Sequence, residues 1–358
     1  MPSAMTEATR AAQFNKFLSE MSKEKPGEVL RLDDDSVNRD IVAIPTGAIS
    51  LDVALGCGGF PRGRVIELFG PEMSGKTSLA LSVAAECQRR GGLVGFVDAE
   101  HALNLQHAID MGVDPHTMVL YRPSSGEDGI AMVEKMIESK GFDMVIVDSV
   151  AALVPQAEID ADVESQQMGL HARLMSKFMR RITDPVSRTD TMLVLINQVR
   201  TNLGAYGAPE ISTGGKAIKY YASVRIEVRS AASKKIERNK VIVGQTCVAT
   251  VKKNKVGPPH RVAEYDLIFG EGIQAGGSLL EVCEQLGLIV RAGASYTDTT
   301  TGERIEVGKE KVKERLNSDD ELRERLVAAV YATLAGTVPA AEAPAGSDED
   351  DEEDFDEE

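Results

Sequence analysis

Cysteine is scarce in this sequence. Its four thiols, Cys57, Cys87, Cys247 and Cys283, lie far apart and form no CxxC pair, so neither a disulfide scaffold nor a thiolate metal site is expected. The five histidines add no metal-ligand spacing to them. Free thiols in a reducing compartment are the expectation. No long apolar run and no signal-peptide pattern is present, which excludes a membrane partner from the reading and predicts a soluble, cytoplasmic protein. No internal repeat is found. Positive charge is also short: the formal net charge is −16. That deficit is local, because residues 347–358, SDEDDEEDFDEE, hold ten acids and no base, and the remainder carries only about −6. Global charge is therefore a weak argument against binding phosphate, which depends on a local basic stripe.

A chain of 358 residues is long enough for one large domain with appendages. Residues 6–22 have helical spacing, with Ala11, Phe14, Phe17, Leu18 and Met21 on one stripe, Thr6 as N-cap and Pro26-Gly27 as the stop. Val29–Leu32 reads as a short strand after it. This segment is too small to fold alone, so it packs either on its own core or on a neighbouring subunit. From Ile41 to about Ile273 short apolar runs alternate with helical ones. Strands are expected at Val65–Phe69, Leu93–Val97, Met118–Tyr121, Met144–Val147 and Met192–Ile196, and helices at Lys76–Arg89 and Gly129–Ser139. Such alternation implies a mainly parallel sheet covered on both faces. Val224, Ile226 and Val228 then alternate with Arg225, Glu227 and Arg229, and Thr246–Lys252 and Tyr265–Phe269 follow, which suggests antiparallel strands on one edge. A smaller α/β unit is expected over 274–335, ending in the helical pattern Glu321–Leu334. The Ala-, Pro-, Gly- and acid-rich stretch 336–358 has almost no core material and is expected to be disordered.

The strongest chemical signal is Gly70-Pro71-Glu72-Met73-Ser74-Gly75-Lys76-Thr77, with Ser78 next in the chain. This is GxxxxGK[ST] between an apolar strand and a helical segment, the context a phosphate-binding P-loop requires. Small backbone at Gly70 and Gly75 lets the chain wrap phosphates with its N–H groups, and the following helix directs its positive end at them. Lys76 would reach the β- and γ-oxygens of ATP, and the Thr77 hydroxyl would bind Mg²⁺. Asp148 closes the run Met144–Val147 at the ligand edge of a parallel sheet, where a carboxylate would hold the same Mg²⁺. In Asp98-Ala99-Glu100-His101, Glu100 is a candidate base for the attacking water, with Asp98 as its rival. Asn197-Gln198 ends the strand Met192–Ile196, and an amide there suits either a γ-phosphate sensor or a cap.

Taken in order, these motifs resemble those of bacterial RecA recombinases. The resemblance spans about residues 8–335. It rests on TGAISLD at 46–52, GPEMSGKT at 70–77, DAEHAL at 98–103, IVDSVAAL at 146–153 and MGLHARLMS at 168–176. INQVR at 196–200, TGGKAIKYYASVR at 213–225, KKNKVGPP at 252–259 and GEGI at 270–273 complete it. The resemblance implies a RecA-like P-loop core over 38–273, an N-terminal helix-strand polymerisation segment over 1–37, a small C-terminal domain over 274–335 and an acidic tail beyond. It implies a DNA-dependent ATPase that forms a helical homo-oligomeric filament on single-stranded DNA and pairs it with double-stranded DNA in recombinational repair. A self-cleaving repressor of the SOS response joins the implied partners, though no residue of this sequence bears on it.

Roles carry over with the motifs. Glu100 matches the family's catalytic glutamate and Gln198 its γ-phosphate sensor. Lys253 and Lys255 match a pair that reaches across an interface to the neighbour's ATP, and Tyr220 matches an aromatic interface position. Loops at about 160–169 and 199–214 match the DNA-binding loops. Within and beside them Met168 and Leu203 match wedging side chains, while Arg173, Arg180, Arg200, Gly214 and Gly215 match phosphate-facing positions. Such contacts ignore base identity, which suits an unspecific DNA binder. Asn104 and His107 stand near the adenine position, where the family usually has Asp and Tyr. Val248 and Thr250 replace basic residues on the face assigned to duplex DNA, where Arg229, Lys234, Lys235, Arg238 and Lys240 remain. Two other classes compete: a polymerising switch that binds a protein partner, and a ring helicase motor. Arg200 and the glycines of loop 199–214 favour DNA over a protein partner. The N-terminal segment and the paired lysines favour a filament over a ring.

Overall fold

A computed structural model describes residues 6–25, 29, 31, 41–161, 169–200, 211–212 and 215–335, with backbone only at 200, 211–212 and 232–233. Pro26, Gly27, Leu30, Leu32, Met168, Leu203, Gly214, most of both expected DNA loops and the acidic tail 336–358 lie outside the described residues. Residues 1–42 and 43–358 form two separate compact units.

The first unit contains helix α1 (Glu7–Glu24), and Thr6 occupies its N-cap position as expected. The Thr6 hydroxyl engages Thr9 Oγ1 at 2.8 Å and makes no cap bond to the backbone. Phe14 and Phe17 are 56% and 55% exposed, so the predicted apolar stripe exists and is open. Val29 and Arg31, the described members of the expected short strand, are not in a strand.

The second unit begins with β1 (Ala43–Ile44), α2 (Ile49–Leu55) and β2 (Phe60–Pro61). It continues with β3 (Val65–Gly70), α3 (Lys76–Arg89), β4 (Val94–Asp98), α4 (Leu105–Asp110), β5 (Met118–Tyr121), α5 (Gly126–Glu138) and β6 (Met144–Asp148). Then come α6 (Gln156–Ile159), α7 (Leu170–Thr189), β7 (Met192–Arg200), β8 (Ile211–Ser212), α8 (Ala217–Tyr221), β9 (Val224–Arg238), β10 (Val241–Asn254), β11 (Val262–Ile268) and β12 (Gly272–Gln274). The chain closes with α9 (Ala275–Gln285), β13 (Ile289–Ala292), β14 (Ser295–Asp298), β15 (Arg304–Val307), α10 (Lys309–Ser318) and α11 (Asp320–Leu334).

The main sheet runs in the order β12-β11-β10-β9-β3-β7-β6-β4-β5. Strands β9, β3, β7, β6, β4 and β5 are parallel, and β10, β11 and β12 add antiparallel strands beyond β9, as the alternating pattern predicted. The central parallel strands β3, β7, β6 and β4 are largely apolar on both faces because each face is covered. Ile66, Leu68, Met144, Ile146, Met192 and Val194 pack into one core with α2 and α3. Val65, Val145, Val147, Leu193 and Leu195 pack into the other with α5 and α7. This is the physical origin of continuous runs such as MVIV. A third core joins α9, α10 and α11 to the small antiparallel sheet β13-β14-β15, and Ile49 of α2 enters it.

Several boundaries differ from the sequence reading, and the two largest extensions have clear reasons. Strand β7 does not stop at Ile196 but continues through Asn197 and Gln198 to Arg200, because its far end pairs with β8. The β9–β10 hairpin reaches Arg238 and Val241, well beyond the alternating apolar residues, since ladder bonds persist where burial ends.

Candidate active site and nucleic-acid interface

Parallel strands that begin together deliver their C-terminal residues to one edge. Gly70 of β3 stands opposite Gln198 of β7, and Asp98 of β4 opposite Asp148 of β6. The loop from β3 into α3 crosses this edge. Gly70 is obligatory there: at φ +154° a Cβ would lie 2.1 Å from the Val228 carbonyl oxygen. Gly75 sits at φ +91°, and its Cβ would meet Cys247 Sγ and a Leu267 methyl at 3.1 Å. The loop bulges outward at Met73, which is 87% exposed. The N-cap residue of α3 is Gly75, which has no side chain to cap the first turn, and no acid lies in that turn, so among the described residues its N–H groups and positive dipole end face the edge uncapped.

Lys76 is 7% exposed and its ammonium donates to the carbonyls of Gly70 (3.2 Å) and Pro71. Burial lowers its pKa, against the attraction of Asp148, Glu100 and Glu72. The Thr77 hydroxyl donates to Asp148 Oδ2 at 2.6 Å. Burial pushes the Asp148 carboxyl up to about 6, opposed by that Thr77 bond and assisted by the negative charge of Glu100. A hydroxyl and a carboxylate at this separation are hard oxygen donors of the kind Mg²⁺ takes, and a neighbouring cation would return Asp148 to its charged form.

The two rival acids are placed differently. Asp98 is 2% exposed, and its carboxylate accepts the N–H groups of Ala102 (3.0 Å) and Leu103 (3.3 Å) and an Arg122 N–H at 3.3 Å. Those bonds commit it to holding its own loop. Glu100 is exposed, and its Oε1 accepts from Gln198 Nε2 at 2.9 Å and from the Ser149 hydroxyl. The structure thus brings Lys76, Thr77, Asp148, Glu100 and Gln198 together and turns Asp98 away. Asn104 caps α4 by accepting the His107 N–H at 3.1 Å, so these two form one local unit beyond Glu100.

Lys253 and Lys255 are not in this cluster. Lys253 stands opposite Arg225, which stands opposite Glu67, three residues before Gly70. That is about 10 Å along the strands and about 10 Å across two strand spacings from the P-loop. Lys253 donates to the Lys219 (2.8 Å) and Tyr220 (2.9 Å) carbonyls at the end of α8. Burial, then Lys255 and Arg225, lower its pKa. Tyr220 beside it is 68% exposed.

Of the residues expected to meet DNA, Arg173 and Arg180 are exposed on α7, with Lys177 on the same side of the helix. Among the described residues none of the three makes an ion pair. Gly215, at φ +72°, packs close to Ala172 at the start of α7, where a Cβ would lie 3.2 Å from the Ala172 methyl. Only the backbone of Arg200 is described, paired with Ile211. On the face assigned to duplex, Arg229 bonds Glu227, Lys234 bonds Glu264 and Arg238 bonds Glu271. Lys235 and Lys240 are exposed, while Val248 and Thr250 are half-buried.

Sequence reasoning misses Ser149, which donates to Glu100, and the pairing of buried Glu67 with half-buried Arg225 and with Asn197, which it takes only as a sensor or a cap. An acid inside the apolar strand VIELFG was the available signal, since a carboxylate there demands partners.

Comparison with known proteins adds the following. The RecA N-terminal domain family matches residues 13–274. A RecA protein of Chlorobaculum parvum is 42% identical over 335 residues, covering 93% of this chain and 95% of its own. One from Helicobacter pylori strain P12 is 46% identical over 304 residues, 84% of this chain and 86% of its own. One from Bacteroides thetaiotaomicron is 43% identical over 311 residues, 86% and 92% of the two chains. Among the described residues no helix is long and apolar enough to cross a membrane. With a matching mainly parallel sheet and P-loop edge, the chain belongs to the RecA family, the recombinases of homologous recombination and DNA repair.

Proposed function

We propose that this protein hydrolyses ATP in response to single-stranded DNA, and that it does so as a helical filament that exchanges strands with a homologous duplex. The observation that carries this reading is strand β7. It bears Gln198, in contact with Glu100, and then runs on to Arg200 and pairs with β8. One strand therefore joins the nucleotide edge to Arg200 and Ile211, which flank residues 201–210, and so offers a path between ATP and the segment proposed to meet DNA.

In this reading Gly70–Thr77 with Ser78 cradles the phosphates. Lys76 exchanges its loop carbonyls for phosphate oxygens, and Thr77 and Asp148 hold Mg²⁺. Bound Mg²⁺ supplies charge neutralisation across the phosphates. Glu100 orients the attacking water and takes its proton, held in position by Ser149 and Gln198. Asn104 and His107 face the base. Lys253 and Lys255 act on the neighbour's nucleotide, which suits their distance from their own P-loop. Two open apolar surfaces support assembly: edge strand β5, with Val119 and Leu120 49% and 41% exposed, and the α1 stripe. Arg173, Arg180 and Arg200, with Met168, Leu203, Gly214 and Gly215, would line the single strand.

The decisive measurement is ATP turnover with and without single-stranded DNA. We expect stimulation of at least about ten-fold, equivalent to about 1.4 kcal/mol of barrier. Equal rates would overturn DNA dependence. Mixing Lys253→Ala with Lys76→Ala subunits is expected to restore part of the turnover each lacks alone. No restoration in filaments shown to be mixed would remove the trans role.

A further inference from the structure

Glu67 is fully buried in the middle of β3, three residues before the P-loop. A carboxylate in that position needs partners, and it has one on each flanking strand. Oε1 accepts from Asn197 Nδ2 of β7 at 2.9 Å. Oε2 accepts from Arg225 Nε of β9. Neither partner is an isolated neighbour. The Asn197 carbonyl accepts the backbone N–H of Gln198 at 2.9 Å, so the amide that holds Glu67 also fixes the peptide of the residue bonded to Glu100. Arg225 stacks its guanidinium on Phe69, 4.4 Å from the ring centroid, and stands opposite Lys253 in the β9–β10 ladder.

We propose that Glu67, Asn197 and Arg225 are positioning residues that couple a subunit's own nucleotide edge to the lysine pair it presents to its neighbour. The proposal rests on the trans role of Lys253 given above. Its physical basis is continuity: Gln198 N–H, Asn197, Glu67 and Arg225 form one unbroken hydrogen-bonded chain across three strands, centred on buried Glu67 and Asn197 and ending beside Lys253. A fully buried carboxylate held from both flanking strands tolerates few arrangements, because displacing either partner strands it without water. A shift of Gln198 is therefore transmitted to Arg225. Arg225 is also one of the charges that disfavour the ammonium form of Lys253, so its displacement changes how readily Lys253 leaves the α8 carbonyls. Each site in a filament then senses the occupancy of the next, and the ATP response is cooperative.

The test uses the full chain on single-stranded DNA, with turnover measured across an ATP titration. Variants are Glu67→Gln, Arg225→Lys, Lys253→Ala and the double variant Glu67→Gln/Lys253→Ala. Glu67→Gln keeps shape and an acceptor for Asn197 but removes the charge that holds Arg225. Arg225→Lys keeps the charge and loses the Phe69 stack, so it remains informative if Glu67→Gln folds poorly. We expect a sigmoidal response for the natural chain and a near-hyperbolic one for Glu67→Gln and Arg225→Lys, with nucleotide binding by unassembled subunits of these two changed less than about three-fold, within about 0.7 kcal/mol. We expect the double variant to lose no more turnover than Lys253→Ala alone, the non-additivity that marks a shared path. A structural role alone would lower the unfolding temperature and leave the sigmoid intact, and that result overturns the relay. Turnover unchanged in Lys253→Ala would overturn the trans reading, and the relay with it. Loss of turnover in Lys253→Ala beside an unchanged sigmoid in Glu67→Gln and Arg225→Lys would overturn the relay alone.

Discussion

Lys76 is held by the loop it serves, with its ammonium on the Gly70 and Pro71 carbonyls. Lys76→Ala removes the only buried cation at the edge formed by Thr77, Asp148, Glu100 and Gln198 among the described residues. Turnover is expected to fall by at least about a hundred-fold. Glu100→Gln is expected to bind ATP and assemble normally while turnover drops by about 10²- to 10⁴-fold, because the shape stays and the base is lost. Equal loss of nucleotide binding in both variants, measured with a fluorescent ATP analogue, would count against Glu100 as base. The sequence showed two acids after β4 and no way to choose between them by composition or spacing. The choice depends on Arg122, 24 residues from Asp98, and on which acid the 99–103 backbone folds over. Family resemblance pointed to Glu100, and in the structure Asp98 is bonded to its own loop and Arg122 while Glu100 meets Gln198 and Ser149. Asp52 carries a separate pH prediction. Burial pushes its carboxyl up to about 7, despite hydrogen bonds from the Thr46 N–H (2.9 Å) and hydroxyl (2.7 Å). Between the ordinary carboxylate range and pH 7 the folded chain binds this proton and the unfolded chain does not. Stability from this group is thus full below about pH 4 and lost as pH rises to about 7. Asp52→Asn keeps an acceptor for Thr46 and cannot ionise. Its stability relative to the natural chain is expected to be higher at pH 8 than at pH 5, by about 2–4 kcal/mol at most. Denaturant unfolding at the two pH values checks this, and an equal difference at both would show that Asp52 does not titrate in this window.

At the scale of elements, legibility followed burial. Helix α3 was predicted at Lys76–Arg89 and lies there, because the P-loop glycine fixes its start. Strand β6 emerged as predicted and gained Asp148, since MVIV is buried on both faces, whereas β5, with Val119 and Leu120 exposed, was legible from its apolar run alone. The outer half of the β9–β10 hairpin was invisible. Its exposed Lys, Ser and Arg residues have no apolar alternation, and only partner strands hold them in a ladder. The extension of β7 was hidden for a related reason, as Asn197 and Gln198 read as a polar stop when their partners, Glu67 and Glu100, are distant in sequence. Helix α1 was legible as a helix but not its destination. It buries none of its residues, and Phe14 and Phe17 stay more than half exposed. Exposed aromatic area of this kind normally has an occupant. Removing residues 1–32 is expected to leave a folded, ATP-binding chain that forms no filaments on single-stranded DNA by electron microscopy. Filaments of ordinary length from the truncated chain would refute the docking role.

For the whole molecule, charge is the organising quantity, and it is divided unevenly. Ten of the acids sit in residues 347–358, and the net charge of −16 falls to about −6 without them. The surfaces that would compete for that tail differ in what they offer. On the duplex face, Arg229, Lys234 and Arg238 are each already bonded to a carboxylate, and Val248 and Thr250 contribute no charge. Its attraction for phosphate therefore rests on exposed Lys235 and Lys240 and on paired cations that surface partners hold only weakly. In the proposed reading, the single-strand surface would add contacts that a peptide carboxylate cannot imitate, namely wedging side chains and backbone N–H groups. A tethered polyanion has a high effective concentration at any basic patch within reach. It should therefore displace duplex more readily than single strand. Deleting residues 347–358 is expected to raise duplex affinity by about ten-fold at low salt and single-strand affinity by less than about three-fold. Because the competition is electrostatic, the duplex gain should shrink as salt rises toward the range where charges are screened within about 8 Å. Fluorescence anisotropy of both chains on duplex and single-stranded oligonucleotides, across a salt series, measures all three quantities. Matching duplex affinities at low salt would mean that the acids serve solubility and leave the duplex face alone. A gain independent of salt would place the effect in folding or assembly, because a charge competitor cannot act equally in dilute and concentrated salt.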